Sequence, residues 1–353
     1  MRAIRLLVIL SLLIAVFALA GAASAQQPST KMEEVRARGV LNCGVSGGLP
    51  GFSSINPDTG RMEGLDADFC RVVAVSVFGP QENIDDVINF VELTAAERFT
   101  ALQAGDVDLL MRNTTATLTR DASLNSNFGP ITFYDGMGLM VKTPLIDLGV
   151  AGLADLEGAS FCVQSGTTTE KNLTDAYSAL FGELPTLVLG DTSDATLRDF
   201  ENDACDALTS DKSQLAGLRS AAADPSSMII LPDTIFKEPL GPMYLDDDPT
   251  WGDIIDWSVY ATFQAEEFGI TQANLAEFDG TEDVNIARFL GQDESNLGDL
   301  LGISNTFAAD IIAAVGNYGE IYSRNIDPIG ILREGSSNDL WTRGGLIYPP
   351  AWR

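Results

Sequence analysis

Residues 112–120, RNTTATLTR, place two guanidinium groups, one carboxamide and four hydroxyls within nine consecutive positions. A guanidinium fork holds a planar carboxylate through two charge-assisted hydrogen bonds, and hydroxyls and backbone amides satisfy the remaining lone pairs. The composition therefore suits an anion, and it equally suits a polar turn with a solvated Arg120. Gly166-Thr167-Thr168-Thr169-Glu170 has the pattern of a helix cap, whose free N–H groups can meet an anion or serve the helix alone. Asp211, just after the run Asp206-Ala207-Leu208, offers a carboxylate to an ammonium group, although a loop aspartate in so acidic a chain is usually solvated.

Gly44-Val45-Ser46-Gly47-Gly48 matches the nucleophile elbow G-x-S-x-G. The serine triad needs a histidine to shuttle its proton, and this chain has none. The few lysines form no serine–lysine pattern, so hydrolysis is disfavoured. Cys43, Cys70, Cys162 and Cys205 show no zinc spacing, and without histidine a metal site would have to rely on carboxylates or thiolates. No metal and no cofactor is expected.

The elements that must position these groups alternate. Residues 40–46 read as a strand, and residues 47–51 (GGLPG) as a turn that brings Phe52 to an edge. Leu65, Phe69, Val72, Val73 and Val77 recur at helical spacing, with Asp66 and Asp68 near the positive end and Gly79-Pro80 as the stop. A second strand over 87–93 runs into Thr94-Ala95-Ala96-Glu97, a capping box for a helix to Gln103. A third strand follows over 106–111. This order describes a doubly wound α/β lobe whose ligands bind beyond the carboxyl ends of strands, where residues 112–120 lie.

The pattern then repeats. CGVSG at 43–47 is echoed by CVQSG at 162–166, and Asp108-Leu109-Leu110 with its polar loop by Asp206-Ala207-Leu208 with Thr209-Ser210-Asp211. Residues 133–142 read as an extended connector between lobes, and residues 239–244 as the return. Helices over 250–267, 285–289 and 307–321 should pack back on the first lobe.

Against 50 acidic residues stand 21 basic ones, a net charge of −29, which makes nucleic acid an unfavourable partner. Arg2 and Arg5, an apolar run from Leu6 to Ala20, and Ala23-Ser24-Ala25 form a cleavable export signal over residues 1–25. Gln26 stands where a lipoprotein has cysteine, and no later stretch is long and apolar enough to span a bilayer. The expected mature chain is free, soluble and large enough for two domains. In an oxidising compartment its four cysteines allow three disulfide connectivities.

From residue 40 onward the chain resembles the periplasmic binding proteins of ABC amino-acid importers, solute-binding protein family 3, and among them the general L-amino-acid-binding group. The resemblance rests on residues 43–52 (CGVSGGLPGF), 64–70 (GLDADFC), 97–108 (ERFTALQAGDVD), 112–115 (RNTT), 162–170 (CVQSGTTTE), 238–242 (EPLGP) and 315–321 (VGNYGEI). Each is weak alone, and together they are specific. The resemblance implies a two-lobed α/β fold of type II, the Venus-flytrap arrangement, with doubly wound sheets joined by two hinge crossings. Lobe 1 would comprise residues 26–139, lobe 2 residues 140–239, and the return segment with a helical tail residues 240–353.

The resemblance also assigns roles. Arg120 would hold the ligand α-carboxylate, assisted by Thr115 and Asn113 from lobe 1 and by Thr167 and Thr168 from lobe 2. Asp211 would receive the α-ammonium, and Phe52 would cover the side chain. The disulfide pairs Cys43–Cys70 and Cys162–Cys205 are favoured because each stays within one lobe. The implied partners are free amino acids and an inner-membrane ABC permease, and the protein would act as a periplasmic monomer. The alternatives are a dehydratase-like periplasmic enzyme on the same fold, since fold does not fix function, and a soluble sensory ligand-binding subunit.

Overall fold

The computed structural model describes residues 30–353, so the export signal expected over residues 1–25 lies outside the described residues. The first strands are β1 (Leu41–Val45), β2 (Gly48–Leu49), β3 (Ser53–Ile55), β4 (Met62–Glu63), β5 (Ile88–Glu92), β6 (Leu109–Leu110) and β7 (Ser126–Phe128). The crossing strand β8 (Phe133–Lys142) leads to β9 (Ser160–Gln164), β10 (Thr186–Gly190), β11 (Ala207–Asp211) and β12 (Met228–Ile230). The return runs through β13 (Lys237–Leu240) to β14 (Met243–Leu245).

These strands form two main sheets, one per lobe. The first has the order β5-β1-β6-β14-β7, with β5 and β6 parallel to β1 and β14 antiparallel to its neighbours. The second has the order β10-β9-β11-β8-β12, with β13 also on β8, and only its β9, β10 and β11 run parallel. β2, β3 and β4 make a small antiparallel sheet. A tight corner precedes the first long helix: Gly64 has φ +129°, and a Cβ there would meet the Phe52 carbonyl at 2.1 Å. Only glycine fits it.

The helix Leu65–Phe78 is buried from Leu65 to Val77, sandwiched between the first sheet and the C-terminal helices. That double burial explains why its pattern is apolar nearly all round. Cys70 on this helix bridges to Cys43 on β1, and Cys162 on β9 bridges to Cys205 ahead of β11. Both disulfides lie within a lobe, in the favoured pairing.

The elements differ from the sequence reading in four places. The third strand is only Leu109–Leu110, because the chain turns away as Arg112 bonds the Leu93 carbonyl. Arg120 lies on a short helix, Leu118–Ser123, capped by Thr117, and not in a loop. Residues 133–142 are a full strand of the second sheet and more than a connector. The helix expected over 307–321 is two, Phe307–Ala314 and Tyr318–Asn325. Gly316 at φ +93° breaks it, and Asn317 restarts it with a reciprocal capping box to Glu320.

The tail packs on lobe 1, as its apolar spacing implies. Tyr318 and Tyr322 enter the lobe 1 core, with Tyr322 stacked on Phe133 at 6.1 Å and the Tyr318 hydroxyl donating to the Thr132 carbonyl. Asn338 exchanges hydrogen bonds with both backbone groups of Tyr134 on the crossing strand. No helix among the described residues is long and apolar enough to cross a membrane.

Candidate ligand-binding site

One wall of the cleft is the segment after β6. Asn113 has φ +35°, uncommon outside glycine, and its N–H donates to the Asp66 carboxylate at 2.8 Å. The Ala116 N–H donates to the Pro239 carbonyl and the Gly241 N–H to that of Thr114, which ties the segment to the return crossing. Thr117 then caps the short helix, accepting from the Arg120 N–H, and this turn aims Arg120 back at the segment. Arg120 is 9% exposed; its Nη1 donates to the Thr115 carbonyl at 2.8 Å, and its guanidinium lies over the Phe99 ring at 5.0 Å.

The opposite wall comes from lobe 2 and the crossings. Thr167 caps the helix Thr168–Phe181, accepting from the Glu170 N–H at 3.1 Å while its hydroxyl donates to the Gln164 carbonyl. The Thr168 hydroxyl donates to Glu238 at 2.9 Å, and Asn172 donates to the other Glu238 oxygen. Asp211 ends β11 opposite Met137 of β8 and is 5% exposed. Among the described residues, no hydrogen-bond donor meets its carboxylate.

The two walls touch. The Thr115 and Thr168 hydroxyls are 3.3 Å apart, and the Asn113 carboxamide donates to Gln214 at 3.1 Å. Beside these contacts lies a cavity of about 350 Å³, lined by Ser46, Gly47, Thr94 and Arg112 of lobe 1 and by Gln164, Thr192 and Ser193 of lobe 2.

Burial dominates the electrostatics. It pushes the Asp211 carboxyl well above the usual carboxylate range, helped by Asp135 and Glu238 and opposed by Arg120 and Arg98. It lowers Arg120 despite Glu238 and Asp211 nearby. Asp135, which accepts from the N–H and hydroxyl of Ser213, is raised to about 6, again chiefly by burial. Asp66 is raised to about 7 by burial, against its bond from Asn113 and the charge of Arg112.

Six of the seven expected ligand-binding residues, Arg120, Thr115, Asn113, Thr167, Thr168 and Asp211, thus lie along facing walls of one cleft. Phe52 does not join them. It is fully buried in the lobe 1 core, edge-on to Phe133 at 5.4 Å, with its N–H held by the Leu49 carbonyl. The tight turn before it carries the chain inward, so Phe52 cannot cover a side chain in the cleft. Four further charged residues frame the site: Asp66, Arg98, Arg112 and Glu238. Each stands within one of the motifs GLDADFC, ERF, RNTT and EPLGP. No group of three or more histidine, cysteine or acidic residues among those described is arranged to hold a metal ion.

Two α/β lobes joined by strands, with opposite charges on facing walls, define a ligand-trapping binding protein of the type II fold. The chain belongs to family 3 of the bacterial extracellular solute-binding proteins, whose model matches residues 41–267. It is 43% identical over 350 residues to the general L-amino acid-binding periplasmic protein of Rhizobium johnstonii, covering 98% of this chain and 99% of that one. It is 42% identical over 338 residues to the glutamate/glutamine/aspartate/asparagine-binding protein of Rhodobacter capsulatus, covering 95% of each. A solved periplasmic binding protein from Brucella ovis with glutathione bound superposes with a TM-score of 0.86 at 41% identity, covering 92% of this chain and 100% of that one.

Proposed function

We propose that this protein is exported to the periplasm, captures free L-amino acids between its lobes and presents them to an ABC-type permease, without chemical change in the ligand. The observation that carries the reading is the opposition of Arg120 and Asp211, a buried guanidinium and a buried carboxyl, on facing walls. An amino-acid zwitterion supplies the complement of each: its carboxylate meets Arg120, with Thr115, Asn113, Thr167 and Thr168 around it, and its ammonium meets Asp211. Contacts available only when both walls reach the ligand favour the closed state, which is how a ligand shifts such an equilibrium. The export signal and the relatives' periplasmic roles support the location.

A second reading concerns larger ligands. The cavity of about 350 Å³ beside the facing walls leaves room beyond a simple side chain. A γ-glutamyl peptide such as glutathione, bound by the Brucella ovis relative, carries the same α-ammonium and α-carboxylate and could extend into it.

Titration calorimetry on ligand-stripped, refolded protein tests both readings. A panel of L-amino acids should bind, their 2-oxo counterparts should bind less tightly, and glutathione should compete with glutamate. Failure of every amino acid to produce binding heat would overturn the assignment.

A further inference from the structure

Arg98 is a buried cation with an unsatisfied donor. It is 3% exposed, its Nε is buried without a hydrogen-bond partner, and its guanidinium lies over the Phe99 ring at 4.6 Å. Two of the charges that act on it most, Arg112 and Arg120, are also cations, and the one acid among them is Asp211. Arg112 is 2% exposed and lines the cavity beside the cleft; its Nε bonds the Leu93 carbonyl, and Asp66 lies behind it. Three buried guanidinium groups therefore converge on one wall of a chain whose net charge is −29.

A zwitterion with a neutral side chain does not balance this wall. Its carboxylate serves Arg120 and its ammonium takes up Asp211, which leaves Arg98 without a counter-charge. A buried charge without a partner is costly, and a second ligand carboxylate removes that cost. We propose that Arg98 and Arg112 form a second anion-binding subsite beside Arg120, so that the preferred ligands are amino acids whose side chain ends in a carboxylate. The inference rests on the amino-acid-binding reading above and adds to it a ligand class and two specificity-determining residues. The acids around the same cavity, Glu92, Glu97 and Asp194, are solvent-exposed, and Glu97 is occupied in capping Thr94. Water screens them more than it screens the buried arginines.

Glutamate and glutamine are nearly isosteric and differ in the side-chain charge, so they isolate the subsite. In calorimetric titrations of ligand-stripped protein, the wild type should bind glutamate more tightly than glutamine. Arg98→Met should weaken glutamate by about 10- to 100-fold, the range for a lost hydrogen bond to a charged group, and glutamine by no more than about threefold. Without ligand, Arg98→Met should melt no lower than the wild type, because it removes an uncompensated buried charge. Arg98→Lys keeps the charge without the planar fork; it should give an intermediate glutamate affinity, and it carries the same ratio test if the methionine variant does not fold. Equal losses for the two ligands would place Arg98 on the shared α-carboxylate or in the fold and overturn the proposal, as would a wild type that favours glutamine. A wild type that binds neither ligand would instead sink the amino-acid reading itself.

Discussion

The cleft and the C-terminal tail treat buried charge in opposite ways. In the tail, Arg333 grips Glu266 with two hydrogen bonds of 2.6 and 2.8 Å, and Arg343 joins Glu266 to Asp339. Each charge there is answered within the same layer of structure. In the cleft, Arg98, Arg112 and Arg120 gather on one wall, while Asp135, Asp211 and Glu238 gather on strands β8, β11 and β13. Burial lowers the basicity of all three arginines, Arg112 to about 10, and raises the proton affinity of Asp135 and Asp211. Charges that hold the fold together find partners inside it, whereas charges sorted by sign across a gap leave their balance to a ligand that bridges them.

The strongest way to break this comparison is to remove the cation assigned to the α-carboxylate. Arg120→Ala should cost roughly 2 to 4 kcal/mol of binding free energy for every amino acid, because it deletes a charge-assisted fork in a desolvated site. Calorimetry that finds wild-type affinity in this variant would show that the lobe 1 wall does not read the carboxylate. An alanine at Arg343 in the tail should leave ligand affinity unchanged and lower thermal stability by about 1 kcal/mol or less, since that side chain is half exposed and its ion pairs are screened.

The next effect sharpens the division of labour between the walls. Asp211→Asn should weaken α-amino acids by about 1.5 to 3 kcal/mol, the range for a hydrogen bond to a charged group, and should spare their 2-oxo counterparts, which carry no ammonium. Arg120→Ala should weaken both classes, since both carry the carboxylate. Equal losses for both classes in Asp211→Asn would make Asp211 a support for the closed interface and not a reader of the amino group.

The lobes were legible in the sequence because the alternation of strands and capped helices is local, and the echo of CGVSG in CVQSG marks the repeat. The helix Leu65–Phe78 followed from apolar spacing and the Thr94 and Thr167 caps from their Thr-x-x-Glu patterns, whereas residues 133–142 read as a connector and form strand β8. Arg120 and Asp211 drew their assigned roles from the family resemblance, since residue type alone suited Arg120 equally to a polar turn and left Asp211 as a solvated acid. Phe52 was misplaced because one residue along a tight turn decides whether a ring faces the core or the gap, and glycines at 51 and 64 set that turn. Arg98 and Glu238 were missed as site residues because their meaning depends on neighbours distant in the chain. Arg98 becomes conspicuous only when Arg112 and Arg120 close around it, and Glu238 only when Thr168 and Asn172 reach it from the helix Thr168–Phe181, far back in the chain.

Within the cleft, the smallest expected change in affinity comes from Asp66, which stands behind the arginine wall and accepts the Asn113 N–H. Its carboxyl is raised to about 7 by burial, against an ordinary value of about 4 in the unfolded chain. The folded state therefore binds this proton more tightly, so its contribution to stability is complete below about pH 4 and is lost as pH rises toward and through about 7. Asp66→Asn keeps an acceptor for Asn113 and cannot titrate. Urea denaturation of the unliganded proteins should give matching stabilities near pH 4, with the variant gaining on the wild type up to about pH 8 by at most a few kcal/mol. Ligand affinity should change by less than about threefold, because Asp66 meets the backbone and Arg112 and does not face the ligand. If the two stability profiles run parallel instead, Asp66 is ionised throughout that window and pairs with Arg112. The lobe 1 wall would then balance one of its three cations internally, and its contrast with the tail would narrow to Arg98 and Arg120.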